Sequence, residues 1–258
     1  MYRLGKLSNE NQILWSPKAA LIYIPDSKSE LSINLHGGNS FGDLHNFYKG
    51  YIISQYRTMQ RYDARILETK NLTGGFSYQY KNTLKAHFFN LHYNYSISGR
   101  DYIFNTQLDS LGRNTTAIMD KSSSSTSHRI NGSTSRFIPE IKMVLKLDAL
   151  TGWTATDYLL NDIMGKLYNI SYNTSLEMIN THFSKLSASY KVTIGHNTNR
   201  MNDNKTSKIS FNSHFVDLTY MPISNHNFSL KNSYYRNNTV GQENQYFVDM
   251  TYRFTIKK

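Results

Sequence analysis

The sequence predicts an all-β protein: an antiparallel transmembrane β-barrel built as a meander of about ten strands and forming part of a larger barrel. Three observations predict it. Apolar and polar residues alternate over long stretches, each stretch runs to about ten residues rather than the five or six usual in soluble proteins, and the connections alternate between short and long.

The segments follow in order. "KAALIYI" (18–24) is followed by "PDSKSE" and "LSINLH" (31–36), which sets Leu31, Ile33 and Leu35 on one face. "NLTGGFSYQYK" sets Leu72, Phe76, Tyr78 and Tyr80 against Thr73, Ser77 and Gln79, and "KNT" turns the chain. "LKAHFFNLHYNYSIS" sets Phe89, Leu91, Tyr93, Tyr95 and Ile97 against Asn90, His92, Asn94 and Ser96, with a phase slip at Phe88–Phe89 that predicts a bulge. The stretch 115–135 is polar on both faces and reads as strand or loop. "IKMVLKLDAL", "KLYNISYNTSLEMI", "SKLSASYKVTIG", "KISFNSHFVDLTYMP" and "NFSLKNSYYRN" continue the alternation. The chain closes on "QYFVDMTYRFTIKK", with Tyr246, Val248, Met250, Tyr252, Phe254 and Ile256 on one face, expected to meet lipid. Asp249 and Arg253 fall on the other face, toward a lumen.

The connections are expected to be long at 37–62, "GRDYIFNTQLDSLGRN", "TGWTATDYLLNDIMG", "HNTNRMNDNKTS" and "VGQENQ". They are expected to be short at "PDSKSE", "KNT", "FIPE", "INTHF" and "PISNHN". Long loops on one rim and short turns on the other suit an outer-membrane barrel. Tyr78, Tyr80, Tyr93, Tyr95, Tyr220, Tyr234, Tyr252 and Phe254 lie toward strand ends, as in an interfacial aromatic girdle.

Composition narrows the classes. Hydrophobic residues make up 39% of the chain, below the roughly 45–50% of a typical globular domain. Aromatics reach 14%, which suits a sheet whose faces meet lipid and water rather than a packed interior. There is no cysteine, so disulfide frameworks and thiolate metal sites are excluded. The net charge is +11, but the basic residues are scattered without a dense run. They read as a solvated face or as loops beside anionic headgroups, and no nucleic-acid partner is expected. No stretch approaches the roughly 20 apolar residues of a membrane helix. Met1 is followed by "YRLGKLSNENQ", with neither an apolar signal core nor a cleavage site. Residues 1–258 are therefore expected as one barrel segment without signal or plug.

No nucleophile–base pair, phosphate loop or metal-binding spacing appears, so no catalytic residue, cofactor or metal is expected. Asp43 and His45 in "NSFGDLHNF" lack a paired nucleophile. The aromatic residues Phe41, Phe47, Tyr48, Tyr51, Trp153 and Tyr158 fall in the long connections and are candidates for ligand contact by stacking, or for anchoring at the interface.

The Tyr/Asn-rich strands, the opening "SPKAALIYIPDSKSELSINLHGG" and the amphipathic final strand resemble the C-terminal barrel portion of TonB-dependent outer-membrane receptors, closest to the type with an N-terminal carboxypeptidase-regulatory-like domain. The resemblance implies a barrel of about 22 strands around a plug and uptake of a scarce nutrient across the outer membrane of a Gram-negative-type cell. It also implies outer-membrane lipid, the barrel-assembly machinery, an unknown solute and the remainder of a longer receptor chain (plug and N-terminal strands) as partners. The chain carries no coupling box on which energy transduction would rest. Two other readings stand beside it: a complete small outer-membrane barrel acting as pore, adhesin or enzyme, and a soluble basic all-β binding protein.

Overall fold

The structure, a computed structural model, describes residues 16–42, 48–63, 67–180, 185–202, 205–223, 225–239 and 244–255. Fifteen strands and no helix occur among them: β1 (Lys18–Asp26), β2 (Ser29–Phe41), β3 (Lys49–Gln55), β4 (Thr58–Asp63), β5 (Glu68–Asn82), β6 (His87–Arg100), β7 (Ile103–Leu108), β8 (Asn114–Met119), β9 (Ser123–Ile138), β10 (Met143–Leu160), β11 (Ile163–Asn180), β12 (Leu186–Met201), β13 (Lys205–Tyr220), β14 (His226–Asn237) and β15 (Asn244–Phe254). Eleven of them form one antiparallel meander in the order β1-β2-β5-β6-β9-β10-β11-β12-β13-β14-β15. The expected all-β antiparallel meander is therefore present, with one strand more than the alternation suggested. β1 and β15 are its two edges; among the described residues neither has a hydrogen-bonded neighbour on its outer side.

The long connections differ from expectation. "TGWTATDYLLNDIMG" is strand almost throughout: β10 and β11 each run 18 residues and meet at a two-residue turn, Asn161–Asp162. Both turn residues have positive φ, 48° and 64°, the geometry whose twist matches antiparallel strands and which Asn and Asp tolerate. The Thr, Trp and Tyr before this turn are strand formers, so the ladder continues to the tip. "HNTNRMNDNKTS" likewise extends β12 and β13. The polar stretch near 115–135 is strand too, because Ser123–Ile138 pairs on both sides, with β6 and with β10. The bulge expected at Phe88–Phe89 is absent: pairing runs unbroken from Thr69↔Arg100 to Asn82↔His87. Phe88 instead occupies the polar face beside Lys81 and Ser135, which accounts for the apparent phase slip. A register shift occurs at Tyr23–Asp26, around Pro25.

Two of the three remaining long connections fold as hairpins, β3–β4 and β7–β8, joined by parallel pairing of β4 with β8 and of β7 with β10, and residues 240–243 of the third, "VGQENQ", lie outside the described residues. Here lies the small buried cluster Leu67, Tyr102 and Ile118, against which Tyr62 and Phe104 pack. Asn105, also buried, donates through Nδ2 to Asp162 Oδ1 at 2.7 Å and accepts from the Asp162 N–H at 3.3 Å, tying β7 to the β10–β11 turn.

The β7–β8 turn is held by Asp109. Its carboxylate accepts from the N–H groups of Leu111 and Arg113 and from Arg113 Nε, which holds its pKa below the ordinary carboxylate value. A depressed carboxylate supports the turn above its ordinary pKa and lets it go as the pH falls through the lowered value. Asp109→Asn is expected to speed trypsin cleavage after Arg113 several-fold at neutral pH without changing sheet content; limited proteolysis followed by mass spectrometry checks this.

Candidate functional site

In a strand, alternate side chains share a face, and residues opposite one another across a ladder share it too. The registers therefore sort the whole meander into two surfaces. One is an apolar face. Its transverse rows include Ile33–Phe76–Tyr93–Ile130, Leu147–Leu176–Val192, Leu218–Leu230–Met250 and Tyr220–Phe228–Tyr252. Large apolar groups stand open on it: Leu21 is 62% exposed, Ile194 63% and Met250 79%. From β5 to β15 this band steps diagonally toward the short-turn rim, the slant that strand tilt and stagger produce.

The other surface is polar. The row Glu30–Gln79–Asn90–Ser133–Asp148–Ser175–Thr193–Ser213 crosses eight strands without one apolar side chain. Many of these groups are hydrogen-bonded to one another, as in Gln79 Nε2 to Asn90 Oδ1 (2.9 Å) and Asn90 Nδ2 to Ser133 Oγ (3.3 Å). Asn169 Nδ2 bridges Asn197 Oδ1 and Asn199 Oδ1 at 2.8 and 2.6 Å. Charges of opposite sign face one another: Lys146–Glu177–Lys191, with Lys146 Nζ 3.3 Å from Glu177, and Asp217–Lys231–Asp249.

The expected terminal set Tyr246, Val248, Met250, Tyr252 and Phe254 shares the apolar face; Ile256 lies outside the described residues. All eight expected girdle aromatics share this face as well. Three of its tyrosines pair with histidines: Tyr93 with His128 Nδ1, Tyr190 with His214 Nδ1, and Tyr252 with His226 Nδ1, at 2.9, 2.6 and 2.8 Å. Each pair satisfies two polar tips on a predominantly apolar surface.

The ligand-contact candidates do not converge. Trp153 is mid-strand on the apolar face of β10, its ring 5.1 Å from that of His128. Tyr158, five residues on, is on the polar face opposite Gly165. Phe41 ends β2 opposite Glu68. Tyr48 and Tyr51 are on the β3–β4 hairpin, Tyr51 under the Arg61 guanidinium at 5.7 Å. Phe47, Asp43 and His45 lie outside the described residues. What residue-by-residue reading missed is a cleft of about 500 Å³ on the apolar face, with Trp153, Tyr168, Ile170, Arg200 and Lys208 in its wall. The signal was available only through the register, which brings β10 to β13 side by side.

Fold and faces define an all-β antiparallel sheet with one apolar and one polar surface and little interior. No protein-family model and no curated protein matches the sequence. Among solved structures it is similar to the ferric yersiniabactin uptake receptor FyuA from Yersinia pestis, with 11% identity and a TM-score of 0.47 over 93% of this chain and 41% of that one. It is also similar to LpxR from Salmonella typhimurium, with 10% identity and a TM-score of 0.26 over 93% of this chain and 88% of that one. The chain thus spans about two fifths of the length of FyuA.

Proposed function

We propose that the chain is a wall segment of an outer-membrane β-barrel of the TonB-dependent receptor type, taking part in nutrient uptake and carrying no catalysis of its own. The observation that carries the reading is the pairing of a continuous exposed apolar face with a polar one in a sheet that has almost no core. Among the described residues only Leu67, Tyr102, Ile103, Ile118 and Leu159 are buried hydrophobics, and none is as large and fully enclosed as a soluble domain of this size requires. In water the apolar face has no cover. In a bilayer it is solvated by hydrocarbon, and the polar face lines a wet lumen.

The dimensions agree. Tyr246 to Phe254 spans eight residue steps, roughly 27 Å along the strand and roughly 20 Å along the normal at a tilt of about 40°, close to the apolar band of known barrels. Strands of 16–18 residues exceed this span, and the excess projects on the side of the long connections, the extracellular side in this placement. The polar face offers hydrogen-bonding amides and hydroxyls and charges of both signs, which suits passage of a hydrated polar solute. Barrel-assembly machinery and the rest of a receptor chain are the partners this reading requires.

Sealed in its envelope by the further strands of its barrel, the protein is expected in the detergent-resistant envelope fraction, refractory to alkaline extraction and faster on gels when unheated. Recovery as a soluble monomer without detergent would overturn the placement. Uptake is checked by comparing a deletion strain with its parent on media limited in one nutrient at a time; identical growth on all of them would remove the transport half.

A further inference from the structure

We propose that the outer margin of the apolar face holds a binding site for the phosphorylated headgroup of an anionic lipid, centred on Arg200 and Lys208. This rests on the membrane placement above and adds a ligand to it. Two transverse rows build the site: Trp153–Ile170–Thr198–Lys208 and Ala155–Tyr168–Arg200–Thr206. Side chains facing one another across adjacent strands stand about 4.5–5.5 Å apart at Cβ, so aromatic rings, hydroxyls and two cations surround one cleft of about 500 Å³. Trp153, Tyr168 and Ile170 give it an apolar wall. Arg200 and Lys208, both exposed, give it charge, and Thr198 and Thr206 add hydroxyl donors. Arg200 Nε donates to the Asn202 carbonyl at 3.2 Å, which fixes the guanidinium stem at the head of β12.

The charge lies along the upper margin of the apolar band, one to three residues from the long-rim ends of the strands. Lys166, Arg200, Lys208 and Arg236 lie on β11, β12, β13 and β14, each closer to the short-turn rim than the last, as the apolar band itself descends. Among the described residues of this face from β10 to β14, Asp157 is the carboxylate above the band, 4.0 Å from Lys166. A diagonal of cations just above hydrocarbon, interleaved with Trp and Tyr, is complementary to a lipid whose chains lie on the band and whose phosphates sit at its edge. A soluble phosphate would gain the charges but not the apolar wall.

The test uses the protein purified from its envelope in mild detergent. A Trp15→Phe background leaves Trp153 as the single indole, since the chain has two Trp. Titration with a bisphosphorylated glucosamine-disaccharide lipid is expected to change Trp153 emission with a salt-dependent affinity. Arg200→Ala/Lys208→Ala is expected to weaken that affinity at least about tenfold, a loss of roughly 1.4 kcal/mol or more. Lys231→Ala, on the polar face, is expected to leave it unchanged. Equal affinity in the double variant overturns the proposal, as does an equal response to inorganic phosphate or to phosphatidylcholine. Heat-modifiable gel mobility is recorded for every variant. If it is lost from the unsubstituted protein the membrane reading itself fails, whereas its retention with unchanged lipid affinity sinks the site alone.

Discussion

In the membrane placement proposed above, Leu230→Arg is expected to destabilise the protein by about 2–4 kcal/mol, whereas Ser229→Arg, one residue away, is expected to change it by about 0.5 kcal/mol or less. Leu230 is in the middle of the apolar band: Leu218 and Met250 flank it on β13 and β15, the Tyr220–Phe228–Tyr252 row lies below and Tyr234 and Tyr246 lie above. A guanidinium there must shed its water into hydrocarbon or bend the bilayer to keep it, because the aromatic rows separate it from both interfaces. Ser229 is on the opposite face between Thr219 and Thr251, with Lys231 and Asp249 nearby, where a cation stays hydrated. The measurement is the guanidinium midpoint of the protein in its own envelope lipid, followed by loss of gel-mobility shift at unchanged slope. A larger loss at Ser229 than at Leu230 would reverse the assignment of the faces.

That assignment was legible in the sequence because it needs only period two and a change of residue class. Leu31, Ile33 and Leu35, or Tyr246 through Phe254, declare their face without any partner, and the short turns fall where the alternation breaks. The extensions toward the long rim were illegible for a physical reason. In the membrane placement proposed above, both faces of a strand are wet beyond the bilayer, so selection for an apolar side lapses and the alternation fades, as in "SSSST" (122–126) at the long-rim end of β9. What holds Ser123–Ile138 straight is the ladder on each side, a non-local fact. Trp153 and Tyr158 were misplaced for the same reason: their segment was assigned to a loop, and only the Asn161–Asp162 turn shows them five residues apart on one strand, pointing to opposite phases. The cation diagonal is less legible still, since its members are spread over four strands and more than 70 residues, and become neighbours only through the register.

The eleven-strand meander of the described residues is expected not to close by itself into a monomeric barrel. Directions alternate along a meander, and with eleven strands in it β1 and β15 run the same way. Closing them on each other demands a parallel seam, which bacterial single-chain barrels avoid by using even strand numbers. A second copy in the same membrane orientation does not help, because its β1 also runs parallel to the first copy's β15. Left open, each edge exposes about half of its backbone N–H and C=O groups, and at several kcal/mol apiece in hydrocarbon the two edges together cost tens of kcal/mol. An odd number of further strands between β15 and β1 removes that cost with antiparallel pairing throughout. The side chains of β15 state what its neighbour must offer: apolar groups beside Tyr246–Phe254, and polar or basic ones beside Asp249, already opposite Lys231 on its other side. Because the chain has no cysteine, Ala20→Cys combined in turn with Phe247→Cys, Asp249→Cys and Thr251→Cys reports on closure directly, all four positions being on the polar face. Refolded alone in detergent micelles, these variants are expected to give no intrachain disulfide and no heat-modifiable monomer. An intrachain β1–β15 bridge in a compact monomer would show that the sheet seals itself through a parallel seam.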